Sequence, residues 1–157
     1  MSTSLGVDRE TKAEILFAQQ ATRLWRALVA YTSDRDVADD ALAEAFAQLL
    51  ARGDHVRAPD RWVWTAAFKI AAGELKERGK SDPLPEAAYE MPEGGQDLAR
   101  ALLRLSPKQR AALILRYYAG YSTVEISQIL GSSVPTVRVH MSQGRKRLRR
   151  IMEREHD

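Results

Sequence analysis

The sequence predicts an all-α protein made of two small helical domains joined by a flexible acidic linker. Three observations support this fold class. Apolar residues recur at spacings of three and four, no alternating segment is long enough for a strand, and serine and glycine residues mark helix boundaries. A chain of 157 residues is long enough for one domain or for two small ones.

The first predicted domain covers residues 13–78 and follows a flexible N-terminus, residues 1–12. Three helices are expected, from about Ala13 to Tyr31, from about Asp34 to Ala51 with its start at Ser33, and from about Asp60 to Arg78. Each has an apolar stripe that should face the core. The stripes consist of Phe17, Ala21, Leu24, Leu28 and Tyr31, then Ala38, Leu42, Ala45, Phe46 and Leu49, then Trp64, Ala67, Phe68, Ala71 and Leu75.

Residues 79–96 read as a linker, because they contain three prolines and three glycines and have no periodic apolar face. From residue 81 to residue 103 there are five acidic residues and one basic residue. The linker is therefore expected to be extended and acidic.

The second predicted domain covers residues 97–157, and its helix-boundary residues are spaced as in a helix-turn-helix. After a short helix at about Asp97 to Leu105, Ser106 and Gln109 form one capping box, and Ser122 and Glu125 form another. Gly120 and Gly131 can end the two helices in a left-handed conformation. Ser133 then caps a helix from about Val134 to Met152. In such a unit the last helix lies in the major groove of DNA.

The last helix divides into a core face and an outward face. Its core stripe should consist of Val137, Met141, Gly144, Leu148 and Ile151. On the outward face, which also includes Ser142, we expect Arg138, Val139 and Gln143 to contact base edges. Contacts with phosphates are expected from Thr136, Lys146 and Arg149, with Arg116 and Thr123 as further backbone contacts. The sequence leaves two interpretations of His140 open: the ring packs at the edge of the core, or it contacts DNA.

Charge and composition narrow the function further. The net charge is +3, but residues 104–150 contain ten Lys and Arg against one acidic residue, Glu125, so this segment should attract phosphates. The chain has no cysteine, its three histidines are scattered, and no nucleophile elbow or glycine-rich phosphate loop appears. We therefore expect no catalytic residues, no cofactor and no metal. A polar N-terminus and the lack of a long apolar run predict a cytoplasmic protein without membrane insertion.

Motifs in both halves resemble those of a known family. Residues 102–110 (LLRLSPKQR), 120–126 (GYSTVEI) and 133–140 (SVPTVRVH) resemble conserved region 4 of sigma-70-type transcription initiation factors. Residues 33–46 (SDRDVADDALAEAF) and 61–64 (RWVW) resemble region 2 of the same family, in its extracytoplasmic-function (ECF) group. Lys69 and Gly73 depart from the asparagine and aspartate that are usual there.

The resemblance implies a sigma factor that binds core RNA polymerase and directs promoter-specific initiation. The C-terminal helix-turn-helix would read the −35 element as duplex, and the N-terminal domain would bind the −10 element as separated strand. The polymerase partners would be the clamp helices of the largest subunit and the flap, and an anti-sigma factor is a further candidate partner. Polymerase binding would fall to Asp36, Asp39, Asp40, Leu42, Glu44 and Phe46, and −10 binding to Arg61, Trp62, Thr65, Lys69 and Lys76.

Other interpretations remain open from the residues alone. A stand-alone helix-turn-helix regulator would use the N-terminal helices for dimerisation or partner binding. Trp62 could pack against the preceding loop instead of facing a DNA strand, and the acidic face of the second helix could simply be solvated. An enzyme is disfavoured by the absence of any recognisable catalytic motif.

Overall fold

The computed structural model describes residues 2–78 and 95–156, and within these ranges the chain forms α-helices, two single helical turns and no strand. The predicted all-α fold is thus confirmed. A turn of 3₁₀ helix lies at Gly53–His55 and a π-helical turn at Ile114–Tyr118. The helices are α1 (Ser2–Thr32), α2 (Arg35–Arg52), α3 (Pro59–Arg78), α4 (Gly95–Leu103), α5 (Pro107–Leu113), α6 (Thr123–Leu130) and α7 (Val134–His156).

Helices α1–α3 form the N-terminal unit, in which each helix packs against the other two. Leu24 and Leu28 of α1, Val37 of α2 and Val63 of α3 are fully buried. Trp64 fills the centre, and its indole Nε1 donates to Gln20 Oε1 at 3.1 Å, which satisfies its polar group. The apolar stripes predicted for these helices therefore meet in one core.

Two details of the N-terminal unit differ from the prediction. Helix α1 begins at Ser2, so residues 2–12, expected to be a flexible N-terminus, extend the helix, consistent with the high helix propensity of Arg, Glu and Lys. Phe17 is 47% exposed instead of belonging to the core, because it lies at the edge of the unit with its ring edge-to-face on Phe46 at 5.0 Å.

The start of α2 also differs from the prediction. Asp34, not Ser33, is the N-cap, and its Oδ1 accepts a hydrogen bond from the Val37 amide at 3.1 Å. Ser33 has a φ of 58° and makes the reversal between α1 and α2. A serine and an aspartate in succession are both good caps, so the residue types alone did not decide between them.

Helices α4–α7 form the C-terminal unit. Leu115, Ile126, Ile129 and Val137 are buried at its centre. Gly144 lies against α5, where a Cβ at its position would be 3.1 Å from Leu113 Cδ1, so the close approach of α7 favours glycine. The core stripe predicted for α7 is confirmed, with Leu148 only partly buried.

The two units pack against each other. Helix α1 contacts α4, α5 and the π-helical turn, and α3 contacts α6, so the buried apolar residues form one continuous cluster. The predicted linker lies mostly outside the described residues. No helix in the described part of the chain combines the length and apolar character that a bilayer span requires.

Candidate nucleic-acid interface

The turn that positions α7 is fixed by caps that the sequence predicts. Ser122 Oγ accepts from the Glu125 amide at 3.2 Å, and Glu125 Oε1 accepts from the Ser122 amide at 3.0 Å. Gly131 closes α6 with a φ of 65°, in the left-handed region that favours glycine. Ser133 Oγ accepts from the Thr136 amide at 3.3 Å and begins α7. These local bonds set the direction in which α7 leaves the turn.

The outward face of α7 is accessible over three turns. Arg138, Gln143, Lys146 and Arg149 are exposed, and the Val139 side chain is 50% exposed. Gln143 Oε1 accepts from Gln109 Nε2 at 3.4 Å, which holds it beside α5. Cationic, amide and small apolar groups of this kind match the donors, acceptors and methyl groups of major-groove base edges.

The remaining residues predicted for −35 binding differ in how exposed they are. Thr136 is exposed and shares a 2.7 Å hydroxyl contact with Ser133, while Thr123 and Ser142 are half-buried. Arg116 is exposed, and its Nη1 donates to the Tyr121 carbonyl at 3.2 Å. His140 is half-buried, and its Nδ1 is buried with no hydrogen-bond partner, which places this ring at the core edge.

A basic cleft that the sequence did not reveal continues from this face. It has a volume of about 440 Å³ and lies between α7 and the α4–α5 corner. No carboxylate of the described residues pairs with its cations in the structure. The amphipathic pattern of α7 gave no sign that Arg104 would lie opposite it. The cleft is lined by Arg104, Gln109, Gln143, Lys146, Arg147, Arg150, Ile151 and Arg154.

A second surface lies at the start of α3. Trp62 is half-buried, and the guanidinium carbon of Arg52 lies 5.3 Å from the centre of its ring, so the ring packs on the end of α2 while keeping one part open. Thr65 Oγ1 donates to the Arg61 carbonyl at 2.9 Å. Lys69 and Lys76 are exposed further along α3.

The cleft beside Trp62 has a volume of about 660 Å³ and collects cations from several elements. Arg52, His55 and Arg57 line it together with Arg61 and Thr65. The first three precede α3 and were not predicted as site residues, although their spacing before Arg61 is visible in the sequence. Cations around a partly open aromatic ring are suited to an unpaired nucleotide.

The acidic surface of α2 is only partly as predicted. Asp36, Asp39, Asp40 and Glu44 are exposed, and Asp39 Oδ1 accepts from Trp25 Nε1 at 2.7 Å. Leu42 is half-buried. Phe46 is 6% exposed and belongs to the core stripe of α2, so its ring supports the surface from beneath, and its contact with polymerase stays a prediction.

Glu74 extends this acidic surface onto α3. Burial, and then the negative charge of Asp40, raises the pKa of the Glu74 carboxyl. The sequence gives no sign of Glu74 as part of this surface, because its neighbours across the helices are not evident from its position in α3. Both helices that form this surface, α2 and α3, therefore contribute acidic side chains to it.

Among the residues that the structure describes, no group of three His, Cys, Asp or Glu side chains could hold a metal ion.

Comparison with known proteins agrees with this arrangement. Residues 95–148 match the family model described as "Sigma-70, region 4". The chain is 27% identical over 154 residues to the ECF RNA polymerase sigma factor SigL of Mycobacterium tuberculosis, with 88% of this chain and 87% of SigL aligned. It is also 27% identical over 151 residues to the ECF sigma factor SigE of Mycolicibacterium smegmatis, with 85% of this chain aligned. Along most of its length the chain is thus similar to sigma factors of the ECF group.

The chain spans 59% of the length of SigE, so the match with that relative is partial. Its fold resembles that of the sigma factor RpoE from Bartonella quintana, solved in complex with the anti-sigma factor NepR. The TM-score is 0.71, with 21% sequence identity, and 93% of this chain and 97% of RpoE are covered. At this identity the likeness concerns the fold.

Proposed function

We propose that this chain is an ECF sigma factor that binds core RNA polymerase and directs transcription initiation at specific promoters. The observation that carries the proposal is the accessible face of α7, with Arg138, Val139 and Gln143 held outward by the capped turn before it. The chain would direct the polymerase to its promoters, and we propose no reaction catalysed by the chain itself.

The −35 element would be read as duplex by the C-terminal unit. Arg138 is suited to bidentate pairing with guanine, Gln143 to adenine and Val139 to a thymine methyl group. Lys146 and Arg149, followed by the basic cleft, would contact phosphates and fix the register of the helix. Arg116 and Thr123, which precede α7, would add contacts to the DNA backbone. His140 is at most a peripheral contact, since its ring is half-buried.

The −10 element would bind as separated strand along α3. Trp62 offers a partly open ring for stacking, and Arg61, with the cations of the neighbouring cleft, would contact phosphates. Lys69 and Lys76 would extend the contact along the helix. Thr65 donates its hydroxyl hydrogen to the main chain, so its oxygen is left as an acceptor for a base.

Polymerase would dock on the acidic surface of α2. Asp36, Asp40 and Glu44 are exposed and could pair with cations of the clamp helices, while Asp39 is oriented by Trp25. Leu42 would add an apolar contact at the centre. The C-terminal unit would contact the flap. RpoE was solved with the anti-sigma factor NepR, and we propose that this chain likewise has an anti-sigma partner.

The experiment is a binding assay with bacterial core RNA polymerase, followed by footprinting of the mixture on promoter DNA. The expected result is a one-to-one complex that protects DNA at about −35 and −10, where the free chain does not protect the −10 region. A chain that ignores core polymerase yet protects a symmetric duplex site as a dimer would contradict the proposal. That outcome would support the stand-alone regulator.

A further inference from the structure

The basic cleft beside α7 has cations on two sides. Arg147, Arg150 and Arg154 line it from α7 at spacings of three and four residues, and Arg104 lies opposite them, at the corner between α4 and α5. All four side chains are exposed. In the described part of the chain no carboxylate pairs with them. The cleft therefore concentrates positive charge that the folded chain does not itself neutralise.

The cations of the cleft lie apart from the residues that are suited to reading base pairs. A recognition helix contacts base edges through its N-terminal residues. Arg147 and Arg154 lie about 13 and 24 Å beyond Arg138 along the helix axis, and they are turned about 180° and 160° away from it around the helix. The cleft and the residues predicted for −35 binding share Gln143 and Lys146.

An ordered pair of amides closes one end of the cleft. Gln109 Oε1 accepts from the Ser106 amide at 3.2 Å, and Gln109 Nε2 donates to Gln143 Oε1 at 3.4 Å. The carbonyl oxygen of Gln143 is thus engaged, and its amide hydrogens can donate to a ligand. Ile151, which is 5% exposed, also lines the cleft and gives it an apolar base. The cleft is therefore a built concavity and not a flat basic surface.

The volume and the charge of the cleft indicate what it binds. At about 440 Å³ it lies within the range of about 300–1,000 Å³ that is usual for small-molecule sites. Four of its five cations are arginines, whose planar guanidinium groups donate paired hydrogen bonds to phosphate oxygens. One orthophosphate would balance only part of this charge, whereas linked phosphates bring several negative charges into a small volume. A polyphosphate therefore fits the cleft better than a single anion or an uncharged ligand.

We propose that the basic cleft binds a chain of linked phosphates, either inorganic or carried by a nucleotide, and that this ligand competes with the −35 duplex for Gln143 and Lys146. The competition rests on the proposed function, because it requires these two residues to contact DNA. The binding of the polyphosphate does not depend on it. Two ligands that exclude each other lower each other's apparent affinity by the same factor. An occupied cleft would thus reduce promoter binding by the C-terminal unit.

Isothermal titration calorimetry with the full chain tests binding to the cleft. The probes are inorganic tripolyphosphate, ATP and orthophosphate, in magnesium-free buffer at one ionic strength. Tripolyphosphate is expected to bind at least about tenfold more tightly than orthophosphate, because several guanidinium groups contact one ligand. Tighter binding of ATP than of tripolyphosphate would identify a nucleotide as the ligand, and equal or weaker binding of ATP would identify the inorganic chain.

A double variant locates the binding site. Arg104→Gln combined with Arg154→Gln removes one cation from each side of the cleft and should weaken tripolyphosphate binding at least about tenfold. The charge-matched control, Lys12→Gln with Arg26→Gln at exposed positions of α1, should change the affinity less than about twofold. Circular dichroism checks that both variants are folded. Undiminished binding by the cleft variant, or no binding by the natural chain, would overturn the proposal.

Displacement of a fluorescent −35 duplex, taken from a promoter that the holoenzyme transcribes, tests the competition. Each chain is half-saturated with the duplex at its own affinity. Tripolyphosphate should displace the duplex from the natural chain at a concentration that leaves it on the cleft variant, and sodium chloride of equal ionic strength should displace less. Displacement from both chains at the same concentration would overturn the competition. A natural chain that binds tripolyphosphate but binds no promoter, even with core polymerase, would overturn the proposed function and leave the polyphosphate site standing.

Discussion

The guanidinium of Arg110 joins the two units of the molecule: its Nε donates a 2.7 Å hydrogen bond to the main-chain carbonyl of Tyr31. Arg110 is 7% exposed, and its guanidinium carbon lies 5.5 Å from the centre of the Tyr31 ring. Its Nη1 also donates to the Leu105 carbonyl at 3.4 Å. One side chain near the start of α5 therefore ties the last turn of α1 to the C-terminal unit.

Replacing Arg110 should destabilise the folded chain. We expect Arg110→Met to lower the free energy of unfolding by about 2–3 kcal/mol, because a charged donor is lost and a buried carbonyl is left without its partner. Urea denaturation followed by circular dichroism measures this value. Arg26→Met, at an exposed position of α1, is the control and should change stability by less than about 0.5 kcal/mol. Equal stability of the two variants would contradict the role given to Arg110.

The sequence anticipated local features well and distant contacts poorly. Caps at Ser106 and Ser122 and the left-handed Gly131 depend on residues within four positions, so their signals are complete in the sequence. The burial of Arg110 depends on α1, which lies far away along the chain. The same limit explains why Glu125 was read as a cap residue but not as a neighbour of Arg61.

In the candidate site, too, the local features could be predicted from the sequence and the contacts between distant elements could not. The outward face of α7 followed from helical periodicity, which fixed the positions of Arg138 and Gln143. Phe46 was assigned to the polymerase contact through a family motif, although its place in the α2 stripe already favoured burial. The clefts at Arg104 and at Arg57 require the meeting of several elements, which no single pattern in the sequence encodes.

Base reading by α7 can be tested at Arg138. We expect Arg138→Ala to weaken binding to the −35 duplex by about 1–3 kcal/mol and to relax the preference at one base pair, since a bidentate contact would be lost. Fluorescence anisotropy against all four base pairs at each position gives both quantities. Arg26→Ala serves as the charge-matched control. An unchanged base preference at every position would remove Arg138 from the base-reading residues.

Polymerase docking can be tested by reversing charge on α2. Asp40→Lys combined with Glu44→Lys should abolish association with core polymerase, because two attractive contacts become repulsive. Gel filtration with core polymerase measures association, and circular dichroism checks that the helices remain. The double control Glu14→Lys with Asp97→Lys changes the net charge equally at exposed positions outside the acidic surface. Full association of the α2 variant would place the docking surface elsewhere.

Two glycines should respond to alanine with opposite signs. Gly131→Ala forces a side chain into a φ of 65° and should destabilise the chain by about 1–2 kcal/mol. Gly73 lies exposed in α3, and a Cβ at its position would meet no atom of a neighbouring element within 4 Å. Gly73→Ala should therefore stabilise the chain by about 1 kcal/mol, because alanine has the higher helix propensity. Thermal denaturation of both variants gives the comparison. Destabilisation by Gly73→Ala would show that this position is constrained by something other than space.

The burial of Tyr121 predicts a loss of stability at high pH. The folded-state pKa of Tyr121 is raised from 10.0 to about 12, chiefly by burial, so the neutral form is favoured by folding. The contribution of neutral Tyr121 to the free energy of unfolding is complete below pH 10 and is lost as the pH rises through about 12. Burial raises the pKa of Tyr31 in the same direction.

Urea denaturation between about pH 8 and pH 11.5 measures this effect, a range that spans the titration of free tyrosine and stays below the raised pKa of Tyr121. Stability should fall less steeply for Tyr121→Phe than for the natural chain, because the titrating hydroxyl is gone while the ring remains. Tyr117→Phe is the matched control, since Tyr117 is 64% exposed. Parallel curves for Tyr121→Phe and the natural chain would contradict the assigned cause.

Transcription reconstituted from bacterial core polymerase, this chain and a genomic template library tests the central claim most directly. We expect transcripts that start at a fixed distance from a shared pair of elements, with the upstream element altered by Arg138→Ala and all initiation lost with the α2 charge reversal. Random initiation indistinguishable from that of core polymerase alone, with the chain natively folded and in excess, would contradict the claim.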